Sequence, residues 1–152
     1  MSADNAILLP EKIQLVDFRV VKNQVDSSAR FSAGKVEGHE LNFGFDLGFN
    51  LKDKLVKAEF RCEISAVDKQ AESAEGQFHL VFIYHVENLE ELAILDKENK
   101  ITLFGGLGNA LASITYSTSR GILMTRLQDT AFQGFILPVI NPDELLSKSR
   151  WV

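Results

Sequence analysis

Three histidines and one cysteine are the residues of this chain with the most versatile chemistry. His79 and His85 share one face of a predicted strand, but six residues separate them by roughly 20 Å, too far to share a metal ion. His39 lies in a different segment, so a structural or surface role is predicted for all three. Cys62 falls on the apolar face of another predicted strand, whereas a reactive thiol requires exposure and positive surroundings. We therefore expect a buried, inert thiol and no metal site.

A glycine-rich run, Gly105-Gly106-Leu107-Gly108, resembles a phosphate-binding loop at first sight. However, no Lys-Ser/Thr pair follows it, and the dinucleotide-binding spacing would require glycine where Leu111 stands. Close helix packing explains the run better. The carboxylates are scattered, and no pair is marked as acid and base. We therefore predict no catalytic residue and no cofactor, and we do not expect an enzyme.

The composition is that of one globular domain spanning residues 1–152. Hydrophobic residues make up 45% and charged residues 24%, and the formal net charge is −5. An acidic chain lacks the electrostatic footprint for nucleic acid or for an anionic membrane. A single cysteine favours a reducing compartment, and no window is long enough for membrane insertion. A cytoplasmic protein is expected, with neither nucleic acid nor membrane as a partner.

The clearest pattern is strict alternation between residues 41 and 51. One face is apolar, while Gly44, Gly48 and polar residues occupy the other, which is typical of an antiparallel strand with one buried face. The apolar face consists of Leu41, Phe43, Phe45, Leu47, Phe49 and Leu51. Similar alternation predicts strands over residues 11–25, 55–67 and 77–86. Gly44 and Gly48 leave the backbone bare, so another molecule can approach it closely.

Helical spacing follows the strands. Asn88 can cap a short helix, and from Ile101 onwards apolar residues recur every three or four positions, with Gly121 as a candidate interruption. An apolar arm over residues 135–140 leads to Asn141-Pro142, which is typical of a helix start. That last helix is expected to end near Trp151. The fold class predicted is α+β: a four-stranded antiparallel sheet, then a long helix, an extended arm and a short C-terminal helix.

The sequence contains eleven phenylalanines. Most must form the core, but a four-stranded sheet with few helices has more apolar face than one monomer can cover. The surplus predicts a subunit interface, a binding groove, or both.

The helix-to-arm region resembles the SecB family of bacterial export chaperones. The order of elements is similar over nearly the whole chain, and residue-level similarity runs from about Ala112 to Leu146. That family ends its long helix in a Ser-Arg-Gly-like signal and then runs a Leu-x-Pro-Val-[Asn/Asp] arm into a short helix. The residues that carry the resemblance are Ser119, Arg120, Gly121, Phe135, Leu137, Pro138, Val139, Asn141 and Leu145.

The resemblance implies a homotetramer, a dimer of dimers, that binds unfolded or pre-secretory polypeptides in hydrophobic grooves and keeps them translocation-competent, without a cofactor. Under it we assign client contacts to Phe43, Phe45, Phe82 and Tyr84, and the oligomer interface to Leu103, Leu107, Leu111 and Ile114. The segment after Gly121 is longer than is typical. The family's acidic tail, which contacts the preprotein translocase motor, has no counterpart in residues 147–152. SecB-like relatives also serve antitoxins of toxin–antitoxin modules, and that role is the alternative for this chain.

Two other classes of protein remain open at this stage. A small-molecule-binding protein, or an unrecognised enzyme, on a half-open antiparallel sheet would line a closed pocket with the same aromatic face. A purely structural oligomerisation module would bury that face entirely between subunits.

Overall fold

A computed structural model describes residues 7–147 and the backbone of residues 149–151. Its strands and helices follow in chain order: β1 (Ile13–Ser27), β2 (Val36–Asn50), β3 (Leu55–Asp68), β4 (Ser73–Val86), α1 (Leu89–Leu92), β5 (Ala93–Leu95), β6 (Ile101–Leu103), α2 (Leu107–Arg126), α3 (Pro142–Leu146) and β7 (Ser149–Trp151). In the part of the chain that is described, no helix has the length and hydropathy that crossing a bilayer requires.

The main sheet has the strand order β1-β4-β3-β2-β7. Its four long strands pair antiparallel, with Phe45 opposite Phe60 and Phe60 opposite Leu80. Alternation places these aromatic and aliphatic residues on one face, which explains why period-2 patterning predicted the strands. The α+β class with four long antiparallel strands is confirmed. The strands are longer than predicted, because β2 begins at Val36 and β4 already begins at Ser73.

Helix α2 covers the apolar face of the sheet. Leu111, Thr115 and Ser119 lie on its buried side. The Thr115 hydroxyl hydrogen-bonds the Tyr84 hydroxyl at 2.8 Å, so these two buried polar groups satisfy each other. Gly121 was a candidate interruption, but the helix runs through it to Arg126.

Two helical predictions were wrong at their ends. Ile101–Leu103 is strand β6, which pairs with Ala93–Leu95 in a small hairpin, and the helix begins only at Leu107. Gly105 and Gly106 have φ of 66° and 75°, a left-handed conformation that breaks any helix crossing them. The last helix ends at Leu146 instead of near Trp151, and Ser149–Trp151 adds to the sheet as β7.

Candidate functional site

The arm, residues 135–141, is fastened to α2 through its main chain. The Arg120 Nε donates to the Leu137 carbonyl at 2.8 Å, and the Tyr116 hydroxyl donates to the Pro138 carbonyl at 2.5 Å. The Leu137 side chain is buried between the two anchors. These two hydrogen bonds, which we call the carbonyl anchors, are accepted by main-chain oxygens of the arm. The arm is therefore held without using the side chains on its outer side.

Those outer side chains are apolar and exposed. Val139 is 80% exposed and Ile136 is 48% exposed, although both belong to a segment that is fixed in place. Beside them, a cleft of about 90 Å³ separates α2 from the arm. Its lining is mostly apolar or small: Ala112, Ser113, Tyr116, Ser117, Arg120, Val139, Ile140, Pro142 and Leu145. The site therefore combines an open apolar ridge with a narrow cleft.

Helix α3 closes one end of this cleft. Asn141 precedes it, and the Asn141 side chain accepts a hydrogen bond from the Asp143 N–H at 3.0 Å, as the cap predicted from sequence requires. Leu145 is fully buried and fixes α3 against the core.

Aromatic rings connect the arm to the sheet. Tyr116 lies 5.7 Å from Phe60, edge to face, and 6.3 Å from Phe43, measured between ring centroids. Burial raises the pKa of Tyr116 to about 12, so its hydroxyl stays protonated and can donate to the arm at any physiological pH. Phe43 is half-buried and forms the sheet side of this aromatic cluster.

The arm begins over the first part of β2. Phe135 packs on His39 with ring centroids 4.8 Å apart, and burial lowers the pKa of His39, which favours the neutral ring for this contact. From there the arm, α3 and β7 follow β2 in the same direction, since β7 pairs parallel with Phe45–Leu47. Phe135, α3 and β7 therefore all lie beside β2.

The opposite face of the sheet carries a group of charged and polar side chains beside the apolar Val81 and Ile83. Arg61 forms ion pairs with Asp46 and Glu59, and His79 Nε2 lies 3.3 Å from a Glu59 oxygen. Among the described residues, no group of His, Cys, Asp and Glu is placed to hold a metal ion. Cys62 is buried, and burial raises the pKa of its thiol to about 12, which confirms the prediction of a buried thiol and makes it a poor nucleophile.

The residues assigned to clients from sequence lie in two different environments. Phe45, Phe82 and Tyr84 are fully buried within this chain, where a client cannot reach them, so their role as client contacts stays a prediction. Phe43 keeps accessible surface next to Tyr116. The residues assigned to the oligomer interface divide likewise, because Leu107 and Leu111 belong to the monomer core, Leu103 is half-buried and Ile114 is 41% exposed.

The motif residues quoted from sequence come together at the arm. Arg120, Leu137 and Leu145 hold it in place, and Val139 projects from it. Ser119 is buried in α2, and Gly121 lies on the exposed side with open space around it. Sequence reasoning missed Tyr116, whose signal was its position four residues before Arg120, on the same side of the helix.

The fold is that of the SecB-like chaperones, which confirms the resemblance at the level of the fold. A SecB-like chaperone of Mycobacterium tuberculosis, solved in complex with a ChAD peptide from the HigA1 antitoxin, is similar in structure with a TM-score of 0.61 and 12% sequence identity. The alignment covers 91% of this chain and 96% of that chain. No protein-family model and no curated protein matches the sequence.

Proposed function

We propose that this chain is a chaperone that binds non-native polypeptide segments at the ridge formed by the arm. The observation that carries the proposal is Val139, whose side chain is 80% exposed on a segment fixed through its main chain. Together with Ile136 on the same arm, Val139 forms an exposed apolar patch, and such patches mark surfaces at which another molecule binds. Unfolded chains present the complementary apolar groups and vary in sequence, which suits an open ridge better than a shaped pocket.

The cleft beside the arm argues against a small-molecule site. Its volume of about 90 Å³ is well below the several hundred Å³ that small-molecule pockets usually offer. Two of its polar groups, Tyr116 and Arg120, already donate to arm carbonyls. Binding of polypeptides therefore agrees better with the geometry of this site than binding of a small molecule does.

An aggregation assay on a chemically unfolded client protein tests the proposal. The full chain is expected to suppress aggregation, and Val139→Asp to weaken suppression about 5-fold, because losing one apolar contact costs about 1 kcal/mol. Val67→Asp is the matched control, since Val67 is also exposed (54%) but lies on β3, away from the arm. No suppression by the full chain, or equal loss in both variants, would refute the proposal.

Two classes of client fit this site. Pre-secretory polypeptides are the general class, kept translocation-competent until a translocase motor accepts them. A dedicated antitoxin client is the second class, and the antitoxin peptide bound by the similar M. tuberculosis chaperone favours it. Binding measured in parallel with an unfolded precursor and with an antitoxin segment distinguishes them, because a dedicated chaperone discriminates between the two.

We also propose self-association, with the homotetramer as the expected state. Leu15 and Phe18 of β1 lie on the core side of the sheet, opposite Tyr84 and Phe82, yet are 49% and 36% exposed. On the neighbouring helix, Ile114 is exposed too, and no charged residue occurs between Leu107 and Ser119. A second copy of the chain is the proposed cover for this surface, which we call the β1–α2 surface.

A further inference from the structure

The edge of β2 carries a short strand from the same chain. Ser149, Arg150 and Trp151 pair in parallel with Phe45, Asp46 and Leu47. A sheet edge presents main-chain N–H and C=O groups, and added polypeptide strands are the usual partners of such groups. This pairing within the chain shows that the edge of β2 at Phe45–Leu47 can pair with an extended polypeptide strand.

This self-pairing is short and tethered. It spans three residues of a strand that is fifteen residues long. Only two residues separate it from α3, which the buried Leu145 fixes beside β2. The tether gives the segment a high effective concentration at the edge, while three residues of parallel pairing provide few hydrogen bonds. Such a strand is held in place but is easily displaced by a longer one.

The paired stretch is bounded by two glycines that face the polar side of the sheet. A Cβ added at Gly44 would meet nothing within 4 Å, and one added at Gly48 would lie 3.7 Å from the Lys57 Cε. Glycine in a strand often marks the close approach of another backbone. Between them, Phe45 and Leu47 are fully buried, so the main chain of this stretch is a rigid template.

We propose that the edge of β2 at Phe45–Leu47 is a strand-addition site for the main chain of a client, and that Ser149–Trp151 occupies it until a client displaces them. The inference rests on the proposed function, because it concerns how a non-native polypeptide is bound. Main-chain hydrogen bonds do not depend on client sequence, so this edge complements the apolar ridge of the arm. While Ser149–Trp151 are paired, a client cannot use this edge. The apparent affinity for the client therefore falls in proportion to the fraction of molecules in which the edge is free.

Binding of a labelled, reduced and carboxymethylated α-lactalbumin, a permanently unfolded probe, tests this by fluorescence anisotropy. A chain truncated after Ser147 is expected to bind the probe about 3- to 10-fold more tightly than the full chain, since the competing strand is gone. The double variant Ser149→Pro/Arg150→Pro tests the same point at full length. Consecutive N–H groups face opposite sides of a strand, so one of the two prolines removes the N–H that faces β2.

Ser149→Ala/Arg150→Ala is the matched control, because it keeps both N–H groups and is expected to bind like the unaltered chain. Hydrogen exchange gives a second readout: amides at Phe45–Leu47 exchange faster in the truncated chain and are protected again when the probe binds. Unchanged affinity on truncation and in the proline variant, or weaker binding in either, would overturn the inference. If neither the full chain nor the truncated chain binds the probe, the proposed function fails, and this inference fails with it.

Discussion

At the scale of single residues, Gly76 is the point where the sheet touches the loop that follows α2. A Cβ at this position would lie 2.9 Å from Phe78 Cε2 and 3.2 Å from Phe132 Cε2. Phe132 is buried, so its ring has little room to retreat.

Gly76→Ala is expected to destabilise the fold by about 1 to 3 kcal/mol, the usual effect of overpacking a tight core. Urea unfolding measures it. Gly44→Ala is the control, since its Cβ meets nothing within 4 Å and its effect should stay within about 0.5 kcal/mol. Equal effects at the two positions would contradict the packing argument.

Asp68 organises the turn between β3 and β4. Its carboxylate accepts N–H hydrogen bonds from Glu72, Ser32 and Gln70 at 2.8 to 3.0 Å. Desolvation opposes ionisation, but the hydrogen bonds, aided by the charge of Lys35, outweigh it and lower the pKa of Asp68. The carboxylate therefore stabilises the folded state when ionised.

Because the folded pKa lies below the unfolded value of about 3.9, this stabilisation is complete above that pH and is lost as the pH falls through the folded pKa. Asp68→Asn should therefore lower the urea midpoint at pH 6 and converge with the unaltered chain towards pH 2. Parallel midpoint curves for the two proteins from pH 6 to pH 2 would show that ionisation of Asp68 does not contribute.

At the scale of elements, the arm is an extended segment that stays in place without strand pairing to its neighbours in the described region. Two carbonyl hydrogen bonds and the buried Leu137 hold it. The sequence motif identified Arg120 and the Leu-Pro-Val segment as related features. Only the fold explains why, since the Arg120 side chain reaches across to the Leu137 carbonyl seventeen residues later.

Arg120→Met should loosen the arm while leaving α2 folded. We expect about 1 kcal/mol of lost stability and faster proteolysis within residues 135–141, because one charge-assisted hydrogen bond is removed. Arg126→Met is the control, since Arg126 is exposed in the last turn of the same helix. Limited proteolysis with mapped cleavage sites gives the result; equal cleavage of both variants would argue against the anchor.

At the scale of the whole molecule, the β1–α2 surface is the main apolar area away from the arm. Leu15 and Phe18 lie beside Tyr84 and Phe82 on the core side of the sheet, and Tyr84 hydrogen-bonds Thr115, the neighbour of Ile114 on α2. Edge strand β1 is also bulged between Leu15 and Asp17 and between Val20 and Lys22, which disrupts continuous strand pairing along it. A partner is therefore expected to cover side chains here as much as to extend the sheet.

Light scattering or native mass spectrometry should find a tetramer, and Leu15→Asp/Ile114→Asp should shift it towards smaller species. The exposed side chains tolerate this change in the monomer, but two carboxylates cannot be buried unpaired in an interface. Ile94→Asp/Leu95→Asp, on the exposed β5–β6 hairpin, is the matched control and should stay tetrameric. A strict monomer for the unaltered chain would reject self-association.

The sequence by itself determined the four long strands, the inert Cys62 and the capped start of α3. These features depend on local periodicity, on side-chain type and on hydrogen bonds between near neighbours, all of which are visible in a short stretch of sequence. The same local rules predicted helix at Ile101–Leu103 and to Trp151, and they were wrong there. Both segments are too short for a periodic signal, and the strand that Ser149–Trp151 pairs with lies far earlier in the chain.

Only the tertiary structure decided which apolar residues are accessible. Phe43 and Phe45 share one strand face, yet Phe45 is fully buried while Phe43 keeps exposed surface beside Tyr116. Alternation specifies the face of a strand, but the cover over that face comes from elements more than sixty residues away. The two carbonyl anchors of the arm and the strand on the edge of β2 are therefore properties of the folded chain, fixed by contacts that no local pattern contains.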